Sequence, residues 1–119
     1  MSSIEQSFNF YQSGTTPGTM FLQIEPGGNL LNSYMAFGTG EDQHITGTYD
    51  QVTHAVNFHI GGPGSPGGVL HETSYSGYVM FDPFGNLSAL AGEYHRNGIV
   101  LPPGTPAQGA WYATAFTVV

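Results

Sequence analysis

A chain of 119 residues carrying eight acids against a single base, for a formal charge of −7, makes one domain of common size and excludes whole classes of partner. Arg96 is the only Lys or Arg, so the chain cannot displace counterions from a nucleic-acid backbone or hold an anionic membrane surface. It has no Cys, hence no disulfide framework and no thiolate chemistry.

Alternation of apolar and polar residues dominates, and no long stretch shows helical spacing free of Gly or Pro. The pattern predicts eight strands. The first lies near Ser7–Ser13, around Phe8 and Phe10. The second is Thr19–Glu25, with Met20, Leu22 and Ile24 on one face, and it ends at the turn Pro26-Gly27-Gly28-Asn29. The third is Leu30–Gly38, where Leu31, Ser33, Met35 and Phe37 alternate with Asn32, Tyr34 and Ala36. Gln43–Tyr49 and His54–Ile60 form a hairpin through Asp50-Gln51-Val52-Thr53. The run of Gly and Pro at 61–68 predicts a surface loop. Thr73–Phe81 and Leu87–Arg96 follow, joined by Asp82-Pro83-Phe84-Gly85-Asn86. A second loop over Asn97–Gln108 leads to the last strand, Gly109–Val118.

Short connections favour antiparallel neighbours, and eight strands leave no room for crossover helices. An open sheet of this size would leave long edges with no Lys to guard them. The expected fold is therefore all-β, a small eight-stranded antiparallel up-and-down β-barrel, with a β-sandwich as the alternative. Several strands are apolar on both faces, and charged residues are only 8% of the chain. Together these predict a homo-oligomer, a dimer or tetramer. The N-terminus shows neither a basic region nor an apolar core of the signal-peptide kind. That gives the cytoplasm as the default location, a secreted mature chain being the alternative.

Glycine stands two residues before tyrosine in Gly47-Thr48-Tyr49 and Gly92-Glu93-Tyr94, and the last strand opens with Gly109-Ala110-Trp111. With eight short strands in about 120 residues, these motifs give a chain that resembles the avidin and streptavidin family. The resemblance implies a closed barrel, a small-molecule pocket at one mouth and assembly as dimers or tetramers. It does not imply biotin binding. The first strand reads Phe8-Asn9-Phe10-Tyr11-Gln12 where that family carries a Trp, and Trp111 is the only Trp in the chain. The same strand count would suit lipocalin-like or allene-oxide-cyclase-like barrels.

The densest chemistry is Glu93-Tyr94-His95-Arg96. On a strand, Glu93 and His95 face one way, so Glu93 could orient the imidazole for general acid or base work. Arg96, on the other face, can grip a carboxylate with two parallel bonds. His59, alternating with Asn57 and Ala55, is a candidate for a polar lumen. Tyr49, Tyr94 and Trp111 offer apolar area with a donor, which suits a ligand pocket. The five histidines match no metal-ligand spacing, so neither metal nor cofactor is expected. Nucleophile and phosphate-loop motifs are absent. The leading expectation is a small-molecule-binding barrel using Tyr49, Tyr94, Trp111, Arg96 and His59. The alternatives are a cofactor-free cyclase or isomerase with Glu93 and His95 as acid–base groups, and a carbohydrate-binding lectin or structural oligomer.

Overall fold

The computed structural model describes residues 3–38, 40, 42–61, 72–97 and 106–116. Its strands are β1 (Ile4–Gln12), β2 (Gly18–Ile24), β3 (Ser33–Phe37), β4 (Gln43–Tyr49), β5 (Ala55–Gly61), β6 (Glu72–Phe81), β7 (Leu87–Asn97) and β8 (Gln108–Phe116). Each pairs antiparallel with the next, and β1 pairs with β8 to close the barrel. The predicted fold class is thus observed. Closure removes the edges that a charge-poor chain has no other means of protecting. Gly61, expected to open the loop at 61–68, is the last residue of β5; the rest of that loop and most of the loop at 97–108 lie outside the described residues.

Side chains alternate across the wall with period two. Phe8, Phe10, Met20, Leu22, Met35, Ile45, Val56, Phe58, Tyr75, Val79, Leu90, Tyr94, Trp111 and Ala113 point inward and are buried. They pack into one continuous cluster, so the middle of the barrel is a filled core. Rings interlock at its centre. Phe58 stacks on Tyr75 at 4.9 Å between centroids, and Phe10, Phe58 and Tyr75 surround the Trp111 indole at 5.5–5.9 Å.

The third strand is shorter than the sequence suggests. Leu30 makes an isolated bridge to Ile24 and is buried, but Asn32 takes a left-handed φ of 49° and breaks the run. Leu31 is consequently turned outward. The fully buried Ser33 hydroxyl repairs the interrupted ladder, accepting from the Gln23 N–H at 3.0 Å and donating to the Leu31 carbonyl at 3.0 Å. His54 also departs from the prediction. It sits at φ 65° before β5, with its ring against Tyr49 and Phe81.

Two aspartates tie the turns at one end. The Asp50 carboxylate accepts the Thr53 and Val52 N–H groups, and the Asp82 carboxylate accepts those of Asn86 and Phe84. These bonds favour the charged forms and hold both carboxyls below the usual range. A group depressed on folding adds stability above its unfolded pKa, which is lost as pH falls through the folded value. Melting temperature should therefore fall as pH drops below about 4. An Asp50→Asn, Asp82→Asn double variant should show a shallower decline, and identical acid limbs would contradict this account.

Candidate functional site

The rows of inward side chains end differently at the two mouths. At the end where β1 finishes and β4 starts, polar positions at Gln12, Gln43, Thr73 and Arg96 mix with apolar ones at Phe37 and Ile60. Gln12 closes β1, and the chain turns back through a Thr15 N–H to Gln12 carbonyl bond of 3.1 Å. Thr15 thereby leans over the mouth. Phe37 ends β3, Gln43 begins β4, Ile60 and Gly61 end β5, Thr73 and Tyr75 open β6, and Arg96 lies near the end of β7. These nine residues line a hollow of about 210 Å³.

Its floor is Tyr75, whose hydroxyl donates to Gln12 Oε1 at 2.5 Å. Burial pushes the Tyr75 phenol well above the ordinary tyrosine range, an effect that the Arg96 charge partly offsets. Tyr75 is thus a neutral donor at any physiological pH. Thr15 Oγ1, in the wall, is buried, and among the described residues it alone is a buried side-chain polar atom without a hydrogen-bond partner. Arg96 stands opposite Thr73 in the sheet register. Its Nη1 donates to the Pro106 carbonyl, and its Cζ lies 5.2 Å from the centre of the Tyr94 ring.

A larger hollow, about 660 Å³, lies at the other end, among Ile4–Gln6, the turn after β6, and the end of β8. It carries the carboxylates of Glu5 and Asp82, and Asp82 is already committed to its own turn. Among the described residues no cation lines it and no orphaned buried polar atom points into it, so it lacks the unmet chemistry of the Arg96 mouth.

Of the residues singled out from sequence, Arg96 alone lines the 210 Å³ mouth. Tyr94 lies beneath it as the platform for the guanidinium, with its hydroxyl donating to the Ser13 carbonyl at 2.8 Å. Tyr49 and Trp111 are in the core. The last strand is expected to open with Gly109-Ala110-Trp111; β8 begins one residue earlier, at Gln108, and the inward Gly109 takes the mouth row. A Cβ at Gly109 would lie 2.3 Å from Ser13 Oγ and 2.9 Å from the Tyr94 ring. The indole therefore falls one row deeper.

His59 does not face a lumen, because Val56, Phe58 and Ile60 hold the inward positions of β5. It pairs with Ser74, which pairs with His95, so both histidines share the outer face of the sheet and border one shallow depression of about 250 Å³. Glu93 also faces outward, as the alternation along β7 requires. Gln12, Thr15, Gln43 and Thr73 were not among the sequence candidates. What unites them is their height in the barrel, and that appears only once the register of all eight strands is known. Comparison of the chain with protein-family models, with curated proteins and with solved structures found no match.

Proposed function

We propose that this protein is a small-molecule-binding barrel whose ligand seats at the Arg96 mouth. The supporting observation is the buried, unpartnered Thr15 Oγ1 in the wall of a hollow with mixed polar and apolar lining. A buried hydroxyl without a partner costs about 1–3 kcal/mol, and a ligand atom that completes the bond would recover it. The adjoining groups suit one small molecule. Phe37, Ile60 and Tyr75 give apolar contact, while Thr73, Gln43 and Arg96 give polar contact. Strand count, chain length and the Gly-x-Tyr strand ends support an avidin-like assignment, which is our reading of the architecture. An acid–base role for Glu93 and His95 would belong to a substrate on the outer face, since neither reaches the hollow.

Thr15→Val tests the reading with one nearly isosteric change. The free variant should be as stable as the wild type or gain up to about 1 kcal/mol, since it removes an unsatisfied hydroxyl. Metabolites that raise the wild-type melting temperature should lose most of that shift in the variant. A panel of neutral and anionic metabolites of the hollow's size, giving no shift with the wild type, would defeat the proposal. So would hits indifferent to Thr15→Val and to Arg96→Gln.

We further propose that two copies meet through the outer face of β6, β7 and β8. Tyr78, Met80 and Tyr112 are exposed there at 63%, 49% and 51%, with Ala89 and Ala91 between them in register. The Tyr11 ring stacks on Tyr112 at 4.7 Å and extends the patch onto β1. On a chain with a net charge of −7, Tyr78, Met80, Tyr112, Ala89 and Ala91 form a patch without charge of its own, bordered on β7 by Glu93, where a second copy meets little like charge. Size exclusion with light scattering should give a multiple of 12.7 kDa. A Tyr78→Glu, Tyr112→Glu pair should return the single-chain mass. A wild-type mass of one chain would refute the assembly.

A further inference from the structure

We propose that the mouth takes a small monocarboxylate with an apolar body, its carboxylate forked on the Arg96 guanidinium and its body against Phe37 and Ile60. This rests on the mouth being a ligand site, as argued above, and adds the class of ligand. Arg96 is the only Lys or Arg in the chain, yet among the described residues it makes no ion pair with any of the acids. Glu72, which precedes Arg96's register partner Thr73 on β6, belongs to the outward-facing row and accepts a hydrogen bond from Ser74 Oγ at 3.4 Å.

The guanidinium is nevertheless held in place. The Arg96 N–H donates to the Ala107 carbonyl at 2.8 Å, Nη1 donates to the Pro106 carbonyl, and the Tyr94 ring lies against the charged plane. One of its five donors is thus used for positioning, and the others have no protein acceptor among the described residues. A cation fixed in advance, with donors to spare at the wall of a hollow, is preorganised for an acceptor that brings its own negative charge. The second independent feature is Thr15 Oγ1, a buried donor in the same wall.

The balance of charge selects a monoanion. One guanidinium cannot neutralise a phosphate dianion, and the remainder of the chain, with eight acids, opposes the excess charge. Size points the same way. The hollow of about 210 Å³ corresponds to roughly seven waters at ~30 Å³ each, the scale of a benzoate-sized molecule. Phe37 and Ile60 require that molecule to be apolar away from its carboxylate.

Benzoate and benzamide are matched probes, alike in shape and different in charge. The Nε–H signal of a ¹⁵N-labelled chain comes from one arginine only, so it reports on Arg96 without ambiguity. Benzoate should move this signal saturably and bind about tenfold or more tightly than benzamide. Arg96→Gln should abolish the preference, and Arg96→Lys, which keeps the charge without the fork, should retain part of it. Circular dichroism melts of the variants establish that they are folded. Benzamide binding as well as benzoate, with both weakened in Thr15→Val, would overturn the carboxylate assignment and leave the mouth as a ligand site. A benzoate preference unchanged in Arg96→Gln would also overturn it. Failure of both probes at about 10 mM would count against the carboxylate assignment, and the metabolite panel then decides the site itself.

Discussion

Trp111→Ala should cost about 3–5 kcal/mol, the largest loss expected from removing any single side chain. A domain of this size has about 5–15 kcal/mol in total, so the variant should be marginal or unfolded at 37 °C. The indole is 2% exposed and packs against Phe10, Phe58 and Tyr75 from three strands. Its N–H is shared between the carbonyls of Glu93 at 3.0 Å and Ser76 at 3.3 Å, so one side chain ties β8 to both β6 and β7. Trp111→Phe separates the two contributions. It keeps a ring and loses the donor, and should fall between Ala and the wild type, about 1–3 kcal/mol below the latter. Urea unfolding followed by far-ultraviolet circular dichroism measures all three, since fluorescence disappears with the only Trp. A midpoint for Trp111→Ala equal to that of the wild type would show that the ring cluster does not hold the barrel together.

Gly92→Ala should rival that loss by the opposite physical route. Gly92 and Gly77 are partners in the β6–β7 register, and both face inward. A Cβ on Gly92 would lie 1.8 Å from the Ser76 carbonyl oxygen and 2.6 Å from the Gly77 Cα. Both obstacles are backbone, so no rotamer change relieves them and the strands must part. Overpacking in cores costs about 1–3 kcal/mol where side chains can give way, and this site should lie at or above the upper end. Gly85→Ala is the contrasting control. It has a φ of 84° and nothing within 4 Å of the added carbon, so only the left-handed backbone is penalised, by about 1–2 kcal/mol. Equal destabilisation at Gly92 and Gly85 would mean that the closeness of β6 and β7 is unimportant. The same closeness makes room for Trp111, because a Cβ on Gly77 would meet its Cζ2 at 3.0 Å.

The strands were legible because their signal is local. Alternation along Met20, Leu22 and Ile24 identifies a strand and its shared face together, and the structure buries those residues; in β5 the row offered for a lumen, Ala55, Asn57 and His59, is the outer one, and Val56, Phe58 and Ile60 are buried. The same rule separates Glu93 and His95 from Tyr94 and Arg96. It fails where one residue leaves the pleat. Asn32 and His54 adopt positive φ, and no alternation of apolar side chains forecasts that in a residue other than glycine. The height of Trp111 in the barrel is not written in its own segment for a related reason. A strand's first residue is set by its partners, here Glu93↔Ala110 and Tyr94↔Gly109, rather than by its own composition.

Sequence by itself determined the class of fold, since eight alternating segments with turn residues between them and no Lys to protect an edge have closure as their main solution. It also determined that a single cation exists to be used. Only the tertiary structure decided that the interior is packed, that His59 and His95 stand outside it, and that Arg96 meets Thr15, Phe37 and Tyr75 at one mouth. Face follows from a period of two within each strand. Height follows from the stagger between strands, a property of pairs far apart in the chain that no single segment encodes.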